Sequence, residues 1–396
     1  MAKPTKSVRK ESDDLIFAVC ELFFKRIISD AGEKDPTDKK TGKKGRRPRT
    51  GGAASVAKEI AEEFGRPDLT RERIYPLLWE AINRKFLIMN IPYEVDLHSK
   101  LLRDYELRQH IDESKGDITV VNTIMGDITE HVNTVAADHI IKLIDSVQER
   151  KVSLAKAQGQ NPENVRVHIG FGAGNAAEEV AKRLSTRASA KTPKLTLHAL
   201  TSGGHYIAGQ QKAPTTYFSY FESKLKDVEF VGMFTPTVVK NSEYEQLKQN
   251  PSVKSVYQRR DEIDIIVTSL GTSDDEHCLL REYYTHLYKE KLIEEDVIAK
   301  LQEEDWIGDV MFQPYSKTKP IVSPSHQMVT LFNFDELLKF SKEPGKHVVV
   351  TGGPCKTCQR SKAKAIRPLL ENPELRLWTD LIIDRTTAEE LLHPQK

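Results

Sequence analysis

Apolar positions along the chain follow two different rules. Up to about residue 150 they recur at helical spacing. Leu15, Ile16, Val19, Cys20, Phe23, Phe24, Ile27 and Ile28 form one stripe and predict an amphipathic helix over Ser12–Ala31. Val56, Ile60, Ala61 and Phe64 predict a second over Ala54–Phe64. Gly65-Arg66-Pro67-Asp68 reads as a turn. Ile74, Leu77 and Leu78 then predict a third helix, running from an N-cap at Thr70 to about Asn83. Pro76 removes a backbone donor inside it and predicts a kink. Phe86–Val95 reads as a short β-wing or linker. Leu97–Ile111, with Leu101, Leu102, Tyr105 and Leu107 apolar, and the Ala- and Ile-rich Val135–Gln148 predict two more helices. These connecting helices either dimerise the protein or bury their apolar faces against the part that follows.

From Val165 the pattern becomes strand, loop, helix. Four apolar runs each end in glycine: Val165–Ile169 before Gly170, Leu195–Leu200 before Gly203-Gly204, Ile263–Leu270 before Gly271, and His347–Thr351 before Gly352-Gly353. Leu377–Ile383 predicts a fifth strand and Thr386–Leu392 a closing helix. Nearly continuous β-branched runs separated by helical segments predict a parallel sheet covered on both faces. Ligands of such sheets sit outside the carboxyl ends of the strands, where these glycine turns fall. The first turn, Gly170-Phe171-Gly172-Ala173-Gly174-Asn175 ahead of a helix over Ala176–Leu184, has the form of a phosphate cradle. Glycine lets the backbone come close, and free N–H groups at a helix N-terminus attract an anion.

Length and charge refine this picture. A chain of 396 residues accommodates two or three domains. Its formal net charge of +1 conceals a basic, Gly- and Pro-containing tract over 32–54 with Lys39, Lys40, Lys43, Lys44, Arg46, Arg47 and Arg49. Such a tract is either a solvated linker or, through Arg46, Arg47 and Arg49, an arm for a DNA minor groove. The two helices after it have the helix-turn-helix pattern, with Thr70, Arg71 and Arg73 at base edges and Arg84 and Lys85 at phosphates. A plain αα-hairpin with a charged face has the same pattern. No apolar run has signal-peptide or membrane-span character, and four cysteines give no disulfide framework, so a cytoplasmic protein without membrane contact is expected.

Two chemistries are disfavoured by the residues themselves. A dinucleotide fingerprint needs an acid at the end of the next strand, and Leu195–Leu200 ends in Thr201-Ser202. Acid–base groups exist near the glycine turns (Asp264, Asp274, Asp275, Asp309, His205 and His277), but no nucleophile elbow, Walker lysine or paired metal ligands accompany them. Cys355-x-x-Cys358 is half of a zinc site with no second pair nearby, and reads as two cysteines in a surface loop. No cofactor and no metal are expected.

The C-terminal part resembles the sugar-binding domain of the SorC-type, DeoR-related bacterial transcriptional regulators. The matching strings are Gly170–Asn175, Ser202-Gly203-Gly204, Asp264–Gly271, Trp306-Ile307-Gly308-Asp309 ahead of Phe312, Val348–Gly353, Lys362–Ile366 and Leu377–Leu392, in order over roughly residues 120–392. The resemblance implies an α/β fold: a parallel-sheet sugar-binding domain similar to phosphosugar isomerases and CoA transferases, behind an N-terminal helix-turn-helix domain. The expected division is 1–95 for DNA binding, 96–150 for connecting helices and 151–396 for effector binding. By position, Gly172, Gly174 and Asn175 would hold a phosphate, Asp309 would meet sugar hydroxyls and Lys362 would pair with an anionic group. Gly170, Ser202, Gly203, Gly204, Gly271, Gly352 and Gly353 complete the expected effector site.

Three departures from the family pattern stand out. Asn175 replaces a usual threonine. Pro354–Ser361 intervenes between Gly352-Gly353 and the lysine, which brings Lys356 forward as a substitute for Lys362. The stretch before the helix-turn-helix and its turn are both long. The resulting expectation is a homodimeric or homotetrameric regulator that binds a double-stranded DNA operator, its affinity modulated by a phosphorylated sugar. A phosphosugar isomerase-like enzyme and a carbohydrate sensor without DNA binding are the alternatives.

Overall fold

The computed structural model describes residues 11–32 (24–32 by backbone alone), 53–83 (82–83 by backbone alone), 93–123, 127–188, 192–202, 212–222, 225, 227–323 and 325–393. It divides the chain between Asn90 and Ile91 into two compact units.

In the first unit the helices form where apolar spacing places them: α1 Asp13–Gly32, α2 Ala53–Glu63 and α3 Arg71–Asn83. Their stripes close on one core built from Leu15, Ile16 and Val19 of α1, Val56 and Ile60 of α2, and Ile74, Leu77 and Ala81 of α3. Gly65, at φ 61°, ends α2 in the left-handed conformation that glycine adopts without a Cβ penalty. The α3 helix runs on through Pro76, which lacks the N–H for one intrahelical hydrogen bond. Residues 33–52, most of the basic tract, and 84–92, with Arg84, Lys85 and most of the expected wing, lie outside the described residues.

The second unit is organised by a sheet. Its strands are β1 Ile118–Val121, β2 Val167–Phe171, β3 Leu195–Ala199, β4 Val228–Val231, β5 Val238–Lys240, β6 Ile265–Thr272, β7 Gly308–Val310, β8 Gln313–Tyr315, β9 His326–Met328, β10 His347–Thr351 and β11 Asp380–Asp384. The order β1-β11-β10-β6-β2-β3-β4 is parallel throughout. The hairpin β7–β8 extends β6 antiparallel, and β5 pairs separately with β9. All five strands expected from the sequence are present, and β3, β10 and β11 are buried along their whole length. That is the burial a sheet with both faces covered demands.

The segment 96–150 is part of this unit. It supplies the edge strand β1 and a long helix, Ile128–Ala157, that packs on the sheet and on the helix Asn175–Arg187. The long helix starts seven residues before the apolar stripe, because the Asp127 carboxylate accepts the Glu130 N–H at 3.0 Å and caps it. The single helix expected over Leu97–Ile111 is two, Val95–Asp104 and Arg108–Ser114. Glu106 at φ 52° breaks it, and the Leu107 N–H closes the turn on the Leu102 carbonyl while its side chain is fully buried.

Behind the sheet's carboxyl edge, His168 on β2 and His198 on β3 face each other at 3.0 Å. Burial drives the His168 pKa down to about 4 and that of His198 to about 3. Both depressed folded values lie below the unfolded value near 6.5, so their contribution to stability is present above pH ~6.5 and is lost as pH falls toward 3–4. At pH 5 the His198 contribution should be reduced by about 2 kcal/mol. Urea unfolding at pH 7.5 and pH 5 should therefore show a smaller pH effect in His198→Gln than in the unaltered chain; equal effects would contradict this.

Candidate functional site

Strand order creates the cleft. The chain steps from β2 outward to β3 and β4, then returns to lay β6 on the other side of β2. Loops leaving the carboxyl ends of β2 and β6 therefore diverge, as at any topological switch point. The opening is lined by Ala173–Ala176 after β2, Ser269–Gly271, Asp275 and His277–Leu279 at the end of β6, Asp309, Met311 and Phe312 from the β7–β8 hairpin, and Gly353–Lys356 with Lys362 after β10. Thr129 and Asn133 of the long helix close the remaining side.

The expected glycines separate into two groups. Gly174, at φ 120°, precedes the helix Asn175–Arg187 as an N-cap without a side chain, so the first amides of that helix open on the cleft. Gly271 lines the cleft too: a Cβ there would sit 2.4 Å from Asp309 Oδ1 and 2.7 Å from Cys278 Sγ. Gly353 also lines it. Gly170, Gly172 and Gly352 serve packing and are not among the lining residues. A Cβ would meet Leu200 at 2.5 Å from Gly170, Thr268 Oγ1 at 2.9 Å from Gly172, and Ile366 at 2.7 Å from Gly352. Ser202 is buried away from the cleft, its N–H donating to the Val329 carbonyl. Gly203, Gly204 and His205 lie outside the described residues.

Two charged groups face each other across this cleft. Asp309 is buried, pairs across the ladder with Gly271, and accepts the Cys278 S–H at 3.2 Å and the Phe312 N–H. Burial raises its pKa to about 6. The Phe312 amide reaches it because Met311 and Phe312 form a two-residue hairpin turn with φ 50° and 61°. That conformation ordinarily selects Asn-Gly, so bulky residues there store backbone strain at the cleft wall. The Lys362 side chain is half-buried and makes no hydrogen bond or ion pair among the described residues, and desolvation lowers its pKa. Lys356, put forward as its substitute, is exposed at the rim and paired with Glu179 at 3.5 Å. The side chain of Asn133, a residue 2% exposed, also has no hydrogen-bond partner among the described residues. Nothing in the local sequence marked it, since on its helix it reads as one polar position on a buried face.

The remaining acids scatter. Asp264 lies at the opposite end of β6, holding Lys151 at 2.8 Å and the His168 N–H, so it is not a rim residue. Asp274 pairs outside the cleft with Arg360 and Lys364. Asp275 and His277 do line it. In the first unit, Arg71 is exposed and free of ion pairs among the described residues, whereas Arg73 is held at 2.8 Å by the buried Glu11. Arg66 grips the same carboxylate and Asp68. The Thr70 hydroxyl goes to Glu72. Tyr75 and Trp79 stand exposed on α3 at 51% and 64%. Arg46, Arg47, Arg49, Arg84 and Lys85 lie outside the described residues.

A family model described as "Putative sugar-binding domain" matches residues 160–393. The structure is similar to the full-length sorbitol operon regulator SorC from Klebsiella pneumoniae, at 15% identity and a TM-score of 0.58 over 97% of this chain and 100% of that one. It is also similar to a DeoR family transcriptional regulator from Listeria monocytogenes (16%, TM-score 0.52, 75% and 98% covered). A transcriptional regulator from Streptococcus pneumoniae matches comparably (15%, TM-score 0.53, 75% and 96%). At these identities the likeness is one of fold. No curated protein sequence matches the chain.

Two outcomes follow from this geometry. Because the folded pKa of Asp309 is raised to about 6, its stabilising contribution is complete below pH ~3.9 and lost as pH rises through 6. Asp309→Asn should thus be more stable than the unaltered chain by roughly 1–3 kcal/mol at pH 7.5 and gain nothing at pH 4. Urea unfolding at the two pH values measures this; a gain that does not depend on pH would contradict it. Gly170→Ala should cost roughly 1–3 kcal/mol by overpacking against Leu200. Its ligand affinity should be unchanged in calorimetry, whereas a direct ligand role would reduce it.

Proposed function

The chain belongs to the sugar-binding domain family and has the fold of the SorC-type regulators, and on that premise we propose that its cleft binds a phosphorylated sugar whose presence alters the affinity of the helical unit for double-stranded DNA. The observation that carries the reading is Lys362: a cation in a desolvating cleft, its ammonium in no ion pair among the described residues although Asp309 and Asp275 line the same cleft, which also holds a helix N-terminus that no side chain caps. Both features favour a phosphate, one through charge and the other through oriented N–H groups. Asp309 and Asn133 supply an acceptor and an amide for sugar hydroxyls. The cleft's acids and cations are used here for recognition, and its role is that of an effector site.

In the first unit, α3 enters the DNA major groove as the second helix of a helix-turn-helix. Arg71 is the side chain free to reach a base. Arg73, tied to Glu11, holds the N-terminal end of α3 to the start of the chain's described part. A homodimer or homotetramer would present two such helices at a spacing of about one DNA turn, ~34 Å.

Thermal unfolding of the full chain with a panel of sugar phosphates and their parent sugars tests the effector reading. A phosphorylated ligand at a hundredfold excess over Kd should stabilise by about 2.7 kcal/mol, and the parent sugar by much less. Lys362→Gln should weaken binding by roughly 10–100-fold, the value of one charge-assisted contact. Operator binding should fall steeply with salt, and Arg71→Ala should cost roughly 1–3 kcal/mol. Equal shifts with sugar and sugar phosphate would remove the phosphate from the proposal, and DNA affinity insensitive to salt would remove DNA.

A further inference from the structure

At the mouth of the cleft two pairs of side chains meet from loops about eighty residues apart in sequence. Asp275 and His277 follow β6; Cys355 and Cys358 follow β10. One donor atom from each, a carboxylate oxygen, an imidazole nitrogen and two sulfurs, lies within 4.8 Å of every other. His277 Nδ1 is 3.2 Å and Cys358 Sγ 3.5 Å from the same Asp275 oxygen. Zinc bonds of ~2.0–2.3 Å in a tetrahedron require donor separations of about 3.3–3.8 Å, so small side-chain adjustments complete the polyhedron.

We propose that Asp275, His277, Cys355 and Cys358 bind one zinc ion. The half-site visible in the sequence as Cys355-x-x-Cys358 is completed by Asp275-x-His277, and the donor set of two sulfurs, one nitrogen and one oxygen suits zinc. Each half is prearranged. The Cys355 sulfur accepts the backbone N–H groups of Thr357 and Cys358, which fix its position in the loop. The chain then reverses at Gln359, with φ 56° and its N–H on the Cys355 carbonyl at 2.8 Å. The Asp275 carboxylate is oriented by the His277 N–H at 2.9 Å.

Binding releases the two thiol protons to solvent and leaves the imidazole neutral. Two thiolates, a carboxylate and the ion then carry a net charge of −1, close to Lys362, Arg360 and Lys364. All four positions are filled by protein, so the site is structural. It ties the loop after β10 to the loop after β6, two walls of the same cleft. The inference rests on these four side chains and holds whatever ligand the cleft takes.

The test uses the full chain, reduced and stripped with a chelator, titrated with Zn²⁺ against a chromophoric chelator and separately with Co²⁺. One equivalent of zinc per chain is expected. The cobalt form should show tetrahedral d–d bands and thiolate-to-cobalt charge transfer. Cys355→Ser and Cys358→Ser should each weaken zinc binding by more than the roughly 10–100-fold that loss of an outer-shell partner costs, and Cys20→Ala should leave it unchanged. The cobalt spectrum of the unaltered chain decides the matter even where a variant misfolds. Failure of the reduced chain to take up metal, an octahedral spectrum without charge transfer, or zinc affinity unaffected by the serine variants would each overturn the proposal. A Cys355–Cys358 disulfide in a chain that still binds no zinc after reduction would overturn it in favour of a redox pair.

Discussion

The parallel pairing of β2 with β6, Ile169 against Ile265 through Phe171 against Val267, is the contact on which the second unit's chemistry depends. Parallel strands cannot be joined by tight turns; each connection crosses a face and returns to the same end. Every strand therefore delivers its following loop to one edge. Between β2 and β6 the connections leave in opposite directions, and the edge opens there instead of closing with side chains. The glycine residues divide accordingly. Those inside or just past the strands, Gly170, Gly172 and Gly271, let neighbouring side chains approach, and Gly174 leaves the first amides of its helix open on the cleft.

Desolvation is the main force on the polar groups of this cleft. It raises the pKa of Asp309 and lowers that of Lys362, pushing both toward neutrality. At a surface an exposed pair of this kind would be worth less than ~1 kcal/mol. In the cleft each group gains more by finding a partner, and an anionic, hydroxylated ligand offers one to both. The strained Met311-Phe312 turn belongs to the same economy, because it points the Phe312 amide at the Asp309 carboxylate. A relaxed Asn-Gly turn would lose two apolar cleft walls.

The helical unit uses its charges differently. Glu11, Arg66, Asp68 and Arg73 form a closed network that holds the turn before α3 to the entrance of α1. An arginine committed to a buried carboxylate is costly to withdraw for another partner. Besides Arg73, the exposed surface of α3 is Arg71, Glu72 and Pro76 with the rings of Tyr75 and Trp79, a mixture of charge and apolar area.

Much of this was legible in the chain itself. Helical periodicity placed α1, α2 and α3 to within a residue or two, and runs of β-branched residues placed five of the seven parallel strands of the central sheet, all but β1 and β4. The glycine turns and Asp309 of the cleft stood out for the same reason: short-range sterics and hydrophobic spacing act on neighbours in sequence. The helix break at Glu106, the packing role of Gly170 and the position of Asp264 at the wrong end of β6 did not stand out. Neither did the presence of Asn133 in the same cleft as Lys362, nor the meeting of Asp275 and His277 with the two cysteines. Each depends on which strand lies beside which, a choice made by burial of the whole sheet under its helices. Local sequence thus determined the elements and the types of residue at their ends; the order of the strands decided which of those ends share a cleft.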